Sequence, residues 1–127
     1  MRAVFDEMGC ETIAADLLDA TALASLPDAQ NIVYLAGQKF GSQHDKEQTW
    51  QMNAVLPAKV AERFSTSRFA VLSTGNVYPF SAPVTGGPLP GEPLGPVGHY
   101  AESCVAREQA FADAAAKWGT KSSILRL

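Results

Sequence analysis

Three short apolar runs constrain this chain more than any other feature: Asn31-Ile-Val-Tyr-Leu-Ala36, Phe69-Ala-Val-Leu72 and Ser123-Ile-Leu-Arg-Leu127. A strand with one wet face alternates polar and apolar residues. A continuously apolar centre suits a parallel strand covered on both faces. Helical periods lie between the runs. Met52, Leu56, Val60 and Phe64 recur at steps of four across Trp50 to Phe64. Pro57 conflicts with a helix interior, so this helix either begins close to Pro57 or kinks there. Tyr100 to Trp118 reads as a long helix with Tyr100, Cys104, Phe111, Ala115 and Trp118 on one face, and Gly119 is placed to end it. Upstream, Thr12 to Ala15 is a short strand candidate. Leu17 to Leu26 is a short helix with Leu18, Ala22 and Leu26 on one face, capped by Asp19 or Thr21. Residues 38 to 48 are polar and read as loop. The order is strand, helix, strand, helix, strand, long loop, helix, strand, which is a run of βαβ units. The expected fold class is therefore α/β with a parallel sheet.

The long loop is marked by composition. Six of the eight prolines fall between Pro79 and Pro96, and five of the ten glycines between Gly86 and Gly98. A loop of this length inside a compact domain is either functional or a sign that elements are misassigned. The formal net charge is −3, which argues against a nucleic-acid surface or a polybasic membrane patch. No apolar run approaches the roughly 20 residues of a membrane helix, and the start carries Asp6 and Glu7 rather than a secretory stretch. Cys10 and Cys104 make no disulfide framework, so the expected compartment is the reducing cytoplasm. His44 and its polar neighbours have no metal-ligand spacing, and no metal is expected.

Ligands of open parallel sheets bind beyond the carboxyl ends of the strands. Three expected strand ends carry small or polar residues: Asp16, then Ala36-Gly37, then Ser73-Thr74-Gly75. A Thr at a strand end and a Tyr at the start of the next helix, here Thr74 and Tyr100, can meet over one pocket. A Tyr phenol, with an unperturbed pKa of about 10, needs a nearby cation to act as a base at neutral pH. One helical turn on, that position is Cys104, and a neutral thiol supplies no such field. Arg107 shares the face but lies two turns from Tyr100, about 10 Å along the axis, which makes it a poor substitute. With no cation beside it, Cys104 reads as a buried, inert thiol.

Ser73-Thr-Gly-Asn-Val-Tyr78, the Pro/Gly loop and Tyr100-Ala-Glu-Ser-Cys104 together resemble the extended short-chain dehydrogenase/reductases, the NAD-dependent epimerase/dehydratase family. Other pieces agree in order. Asp16 and Leu17 look like the family's Asp-Leu pair near the adenine ring. Tyr34-Leu-Ala-Gly37 looks like the segment passing the cofactor ribose, which implies cofactor contacts at Leu35, Ala36 and Gly37. Asn53, Ser73 and Tyr100 match further cofactor positions, and Glu108 fits a Glu downstream of the Tyr motif. The resemblance implies Thr74 as the residue that hydrogen-bonds the substrate oxygen and Tyr100 as the general acid/base. Asn76 joins Thr74 on the substrate side. The Pro/Gly segment would rim the substrate site. The cofactor would be NAD or NADP, and the substrate a sugar or nucleotide sugar that exchanges hydride at a hydroxyl or carbonyl carbon.

Three departures shape the expectation. Tyr-x-x-x-Lys is here Tyr-x-x-x-Cys. No Gly-rich phosphate turn follows a strand. Gly75-Asn76 after Thr74 lacks the acidic residues of the dehydratase branch, which disfavours dehydration. The expected whole is a partial Rossmann-like doubly wound sheet over residues 1–127, without the first two strands and the C-terminal substrate region. In the order 3-2-1-4-5-6, strand 12–15 would lack its partners and strand 31–36 would show a bare apolar edge, which makes the chain marginally stable alone. The expected function is an epimerase/dehydratase-like oxidoreductase, with this chain itself inactive. The alternative is a non-catalytic cofactor-binding or interaction module that has lost the Lys. A homodimer through helices 50–64 and 100–118 is the expected protein partner, with no nucleic acid and no membrane.

Overall fold

Each βαβ crossover carries its helix to the same face of one parallel sheet. The computed structural model describes residues 2–39, 41 and 44–127. In chain order it holds α1 (Arg2–Glu7), α2 (Ala20–Ser25), β1 (Asn31–Tyr34), α3 (Lys46–Trp50), α4 (Leu56–Arg63), β2 (Arg68–Ser73), α5 (His99–Trp118) and β3 (Lys121–Arg126). The strand order is β1-β2-β3, all parallel, with Tyr34 opposite Val71 and Val71 opposite Ile124. This is the α/β class expected from the apolar runs.

Along β2, Phe69, Val71 and Ser73 are buried while Ala70 and Leu72 are only half-buried. The register places Ile32 and Tyr34 of β1 on the Phe69–Val71 side and Val33 on the other. The covered side packs against Leu56, Val60 and Phe64 at α4 and Phe111 and Ala114 of α5. Phe111 stands edge-on to Tyr34 at 5.4 Å and tilted against Phe69 at 5.0 Å. Val33 remains 65% exposed. The expectation of strands covered on both faces is therefore corrected. Two crossovers of the same hand moving the same way along a sheet put both helices on one side.

The strand expected at Thr12–Ala15 does not form. A strand needs a neighbour to take its backbone bonds, and among the described residues no strand pairs with residues 12–15. Ile13 instead packs over an apolar groove beside β1, together with Leu17, Leu35 and Ala36. The outer edge of β1 is unpaired among the described residues, as the resemblance implied. The helix α1, not anticipated from the sequence, is largely exposed. In α2, Asp19 is the cap, and its carboxylate accepts from the amides of Thr21 at 2.7 Å and Ala22 at 3.1 Å.

Pro57 stands at the start of α4, one of the two expected places, but the helical run does not begin there. α3 runs through a π-helical turn, Gln51–Val55, into α4, and Pro57 falls in the first turn of α4. Proline is tolerated there because the first turn of a helix needs no amide from it, and Asn53, within the π-helical turn, is fully buried. The helix also begins earlier than expected, at Lys46, with Asp45 capping it through the Gln48 amide at 2.8 Å. Phe40, Ser42 and Gln43, part of the expected loop, lie outside the described residues. On α5 the buried side includes Ala101, Cys104, Phe111 and Ala114. Ala115 and Trp118, expected on this face, point outward. Gly119 ends the helix at φ +72°, in the left-handed region open to glycine.

Tyr34 presents a core anomaly. Its hydroxyl is buried without a hydrogen-bond partner among the described residues. Burial pushes the phenol up to about 12, against the opposing pull of Arg107. A folded-state pKa above the unfolded value of about 10 gives stability that is present below pH 10 and lost as pH rises toward 12. Tyr34→Phe is expected to stabilise the chain by up to about 1 kcal/mol at neutral pH and to flatten its alkaline decline. Urea unfolding at neutral and alkaline pH checks both.

Candidate functional site

β2 ends at Ser73, and Thr74 follows in extended conformation as the cap of a short 3-10 turn, Gly75–Val77. The Thr74 hydroxyl accepts from the Asn76 amide at 3.2 Å. The Pro/Gly segment then loops outward, with Phe80 and Val84 almost fully exposed. It returns through the Gly95 amide, which donates to the Val77 carbonyl at 3.0 Å. α5 starts directly after this return, so Tyr100 in its first turn comes back to the end of β2. Its phenol lies within reach of the Thr74 hydroxyl. Two residues 26 positions apart in sequence thus meet at the carboxyl ends of the strands.

A small cleft of about 180 Å³ opens there, lined by Leu35, Gly37, Lys39, Ser73, Tyr100 and Arg107 among others. Leu35, Gly37, Ser73 and Tyr100 are four of the positions marked from the sequence. Leu17, Leu35 and Ala36 border the neighbouring apolar groove beside β1. Asp16 turns its carboxylate to the Leu18 amide at 3.0 Å. Asn76 is exposed beside Thr74.

Asn53 stands behind the cleft rather than in it. Its side-chain oxygen accepts from the Gln38 amide at 2.7 Å, and its nitrogen donates to the Gln38 carbonyl at 2.8 Å. The amide side chain acts as a substitute strand partner for the segment leaving β1. The same nitrogen donates to Ser103 Oγ at 3.0 Å.

Burial is the main force that raises the Tyr100 phenol. The Cys104 neighbour adds to it, while Arg107 and Thr74 oppose it. Cys104 is fully buried, and burial raises its thiol against the pull of Arg107. At neutral pH Tyr100 therefore keeps its proton, able to donate but weak as a base, and Cys104 remains a thiol.

Arg107, set aside from helical spacing as too far from Tyr100, reaches the site after all. Long helical side chains lean toward the helix N-terminus, so this guanidinium returns to the level of Ser103. Nη2 donates to Asn53 Oδ1 at 2.7 Å and Nη1 to the Leu72 carbonyl at 3.0 Å. The signal was present as Ser103-x-x-x-Arg107, an i,i+4 pair on the inward side. Glu108, noted only by resemblance, fastens the other end of the site. It accepts from Ser73 Oγ at 2.5 Å and from Arg126 Nη2 at 2.6 Å.

The NAD dependent epimerase/dehydratase family matches residues 2–127. Among solved structures, the UDP-Glc/GlcNAc 4-epimerase of Campylobacter jejuni is 23% identical with a TM-score of 0.85, over 98% of this chain and 40% of that one. RMD from Pseudomonas aeruginosa, complexed with NADPH, is 24% identical with a TM-score of 0.81, over 90% and 42%. UDP-glucose 4-epimerase from Brucella ovis, in complex with NAD, is 19% identical with a TM-score of 0.78, over 92% and 38%. The chain thus spans about two fifths of the length of these proteins. They agree with it in fold: a parallel Rossmann-like sheet, here in part. No curated protein sequence matches it. With its strand order, its Thr74–Tyr100 pairing and a match over nearly its whole length, the chain belongs to the NAD dependent epimerase/dehydratase family.

Proposed function

We propose that this chain carries the nicotinamide side of a hydride-transfer site in an NAD(P)-dependent oxidoreductase of the epimerase type, acting on a sugar-type hydroxyl or carbonyl. The observation that supports this most is the convergence of Thr74 and Tyr100 beside the cleft at the strand ends. The chain's residues fit the nicotinamide and ribose half of the cofactor. Gly37 brings bare backbone to the cleft, Leu35 offers an apolar surface that is 65% exposed, and Tyr100 presents a hydroxyl. No Gly-rich turn follows a strand among the described residues, so the fit does not extend to the diphosphate. When bound, the nicotinamide would supply or accept the hydride.

Thr74 would hold the substrate oxygen, with Asn76 beside it. Tyr100 would pass its proton to that oxygen, and its raised phenol suits delivery to a carbonyl more than removal from a hydroxyl. The structural relatives include epimerases of UDP-sugars and proteins holding NAD or NADPH. By that likeness the substrate class is a nucleotide sugar and the cofactor NAD or NADP.

A second reading, a cofactor-binding module without turnover, is favoured by one observation: Cys104 stands where the Lys would lower the phenol, and the phenol is raised instead. The groove between α4 and α5, floored by Ala54, Ala58, Ala110 and Ala114 and flanked by Trp118, suits a second copy of the chain. Cys10 and Cys104 are both free, in keeping with a reducing cytoplasm. No helix among the described residues is long and apolar enough to cross a membrane.

Fluorescence titration with NADH and NADPH, followed by turnover assays on UDP-sugars, separates the readings. The enzyme reading expects cofactor binding and, in a longer chain that adds a diphosphate-binding half, turnover, with Tyr100→Phe lowering kcat about 10²- to 10⁴-fold and changing cofactor affinity little. Binding without turnover in that longer chain establishes the module. Failure to bind either cofactor overturns both.

A further inference from the structure

Arg107 is 7% exposed, and no ion pair to it forms among the described residues. Its sequence neighbour Glu108 is committed to Arg126 and Ser73. Two neutral oxygens, Asn53 Oδ1 and the Leu72 carbonyl, hold the guanidinium, while Nε is buried with no partner. A buried cation without a carboxylate is costly, and here the surroundings are shaped to keep it. A Cβ at Gly37 would collide with Arg107 Nη2 and lie 2.9 Å from Asn53 Oδ1. The φ of Gly37 is not among the positive ones, so space rather than backbone angle calls for glycine here. Asn53 touches both Ser103 Oγ and Arg107 Nη2, which sets the charge beside the turn of α5 that carries Cys104. Arg107 and Tyr100 line the same cleft.

We propose that Arg107 is the positioning cation of this site: held under Gly37 by Asn53 and the Leu72 carbonyl, it supplies the positive charge that Tyr100-x-x-x-Cys104 leaves out. The charge reaches the site from i+7 instead of i+4, folded back along the helix. Its field reaches three groups, Tyr34, Tyr100 and Cys104, and favours the ionised form of each. Burial still outweighs it at Tyr100, so Arg107 tempers the phenol without making it a strong base. The other titratable groups near Tyr100 are Lys39, which lines the same cleft, and His99, which sits 3.6 Å from Glu102 at the start of α5. Thr74, from the end of β2, is neutral. The proposal deepens the hydride-transfer reading, and its test needs neither cofactor nor turnover.

A fluorinated tyrosine at position 100 of the full chain, followed by fluorine NMR, reports the phenol in a pH range where the chain stays folded. Arg107→Gln is expected to raise that phenol by about one pH unit, and Arg107→Lys to restore most of the shift. A folded Arg107→Gln chain with an unmoved phenol overturns the proposal, and so does a folded Arg107→Lys chain that behaves like Arg107→Gln. Should Arg107→Gln not fold, Cys104→Lys decides. Beside Arg107 the new ammonium meets like charge, so Cys104→Lys should be far less stable than Cys104→Lys combined with Arg107→Met. Equal melting temperatures for those two overturn the assignment. Loss of cofactor binding in a chain whose phenol behaves as expected would count against the functional reading alone.

Discussion

Gly37→Ala is expected to destabilise the chain by about 3 kcal/mol, the scale of breaking a buried charge away from its partners. The new methyl and the Arg107 guanidinium cannot share the space beneath residue 37. An exposed arginine would swing aside at little cost. This one would abandon its bonds to Asn53 and to the Leu72 carbonyl, and Asn53 would itself be crowded against the methyl. The effect should therefore belong to the pair rather than to the glycine. Arg107→Ala alone removes a buried cation but leaves the Leu72 carbonyl unbonded, at about 1 to 2 kcal/mol. The double variant should cost no more than Arg107→Ala alone. The expected coupling is then about 3 kcal/mol in a urea-unfolding cycle, far outside the additivity of independent sites. Additive losses would show that the close approach at Gly37 is not what fixes Arg107.

Glu108→Ala is expected to cost a similar amount, about 3 kcal/mol, and to disturb the site from the opposite side. One carboxylate ties three elements together: it sits on α5, accepts from Ser73 at the end of β2, and takes Nε and Nη2 of Arg126 at the end of β3. The Arg126 side chain is a quarter exposed, which places the loss at the lower edge of what stranding a buried charge costs. Arg126 would retain only its hydrogen bond to the Tyr78 hydroxyl and its stack on that ring. Ser73 immediately precedes Thr74, so the loosened strand end should also shift the Thr74 amide resonance. Glu108→Gln, which keeps the shape and loses the charge, should cost about half as much by the same unfolding measurement.

The strands and the two long helices were legible because their residues carry the signal locally. Phe69 to Leu72 reads as a buried strand wherever it is placed, and Met52, Leu56, Val60 and Phe64 mark one helical side. The strand at 12–15 was misread because pairing is a property of the neighbour as much as of the segment. The covering of both sheet faces was misread because an apolar run states what a residue tolerates, not what lies against it. Val33 is apolar and exposed for that reason. The π-helical turn that precedes Pro57 and holds the buried Asn53 left no periodic mark, since the apolar steps of four run straight through it. On α5, a repeat of small and apolar residues over several turns led to Ala115 being read as inward where Ala114 is.

The pairing of Thr74 and Tyr100 was legible through motif resemblance, since the Pro/Gly loop between them has no period of its own. Arg107 was not. Counting helical rise places its Cα two turns from Tyr100, whereas the long side chain runs back toward the helix start and delivers its charge where Ser103 sits. Spacing rules count backbone positions, and long side chains act at a distance from theirs.

The central claim is that the strand-end cleft is a nicotinamide site. Amide NMR of the full chain during titration with NADH and with NADPH tests it most directly. Shifts concentrated at Leu35, Ala36, Gly37, Ser73, Thr74 and Tyr100, and weakened by substitution of Tyr100, are the expected result. Saturable shifts confined to the groove between α4 and α5, or no shifts with either cofactor while the chain remains folded, would contradict it.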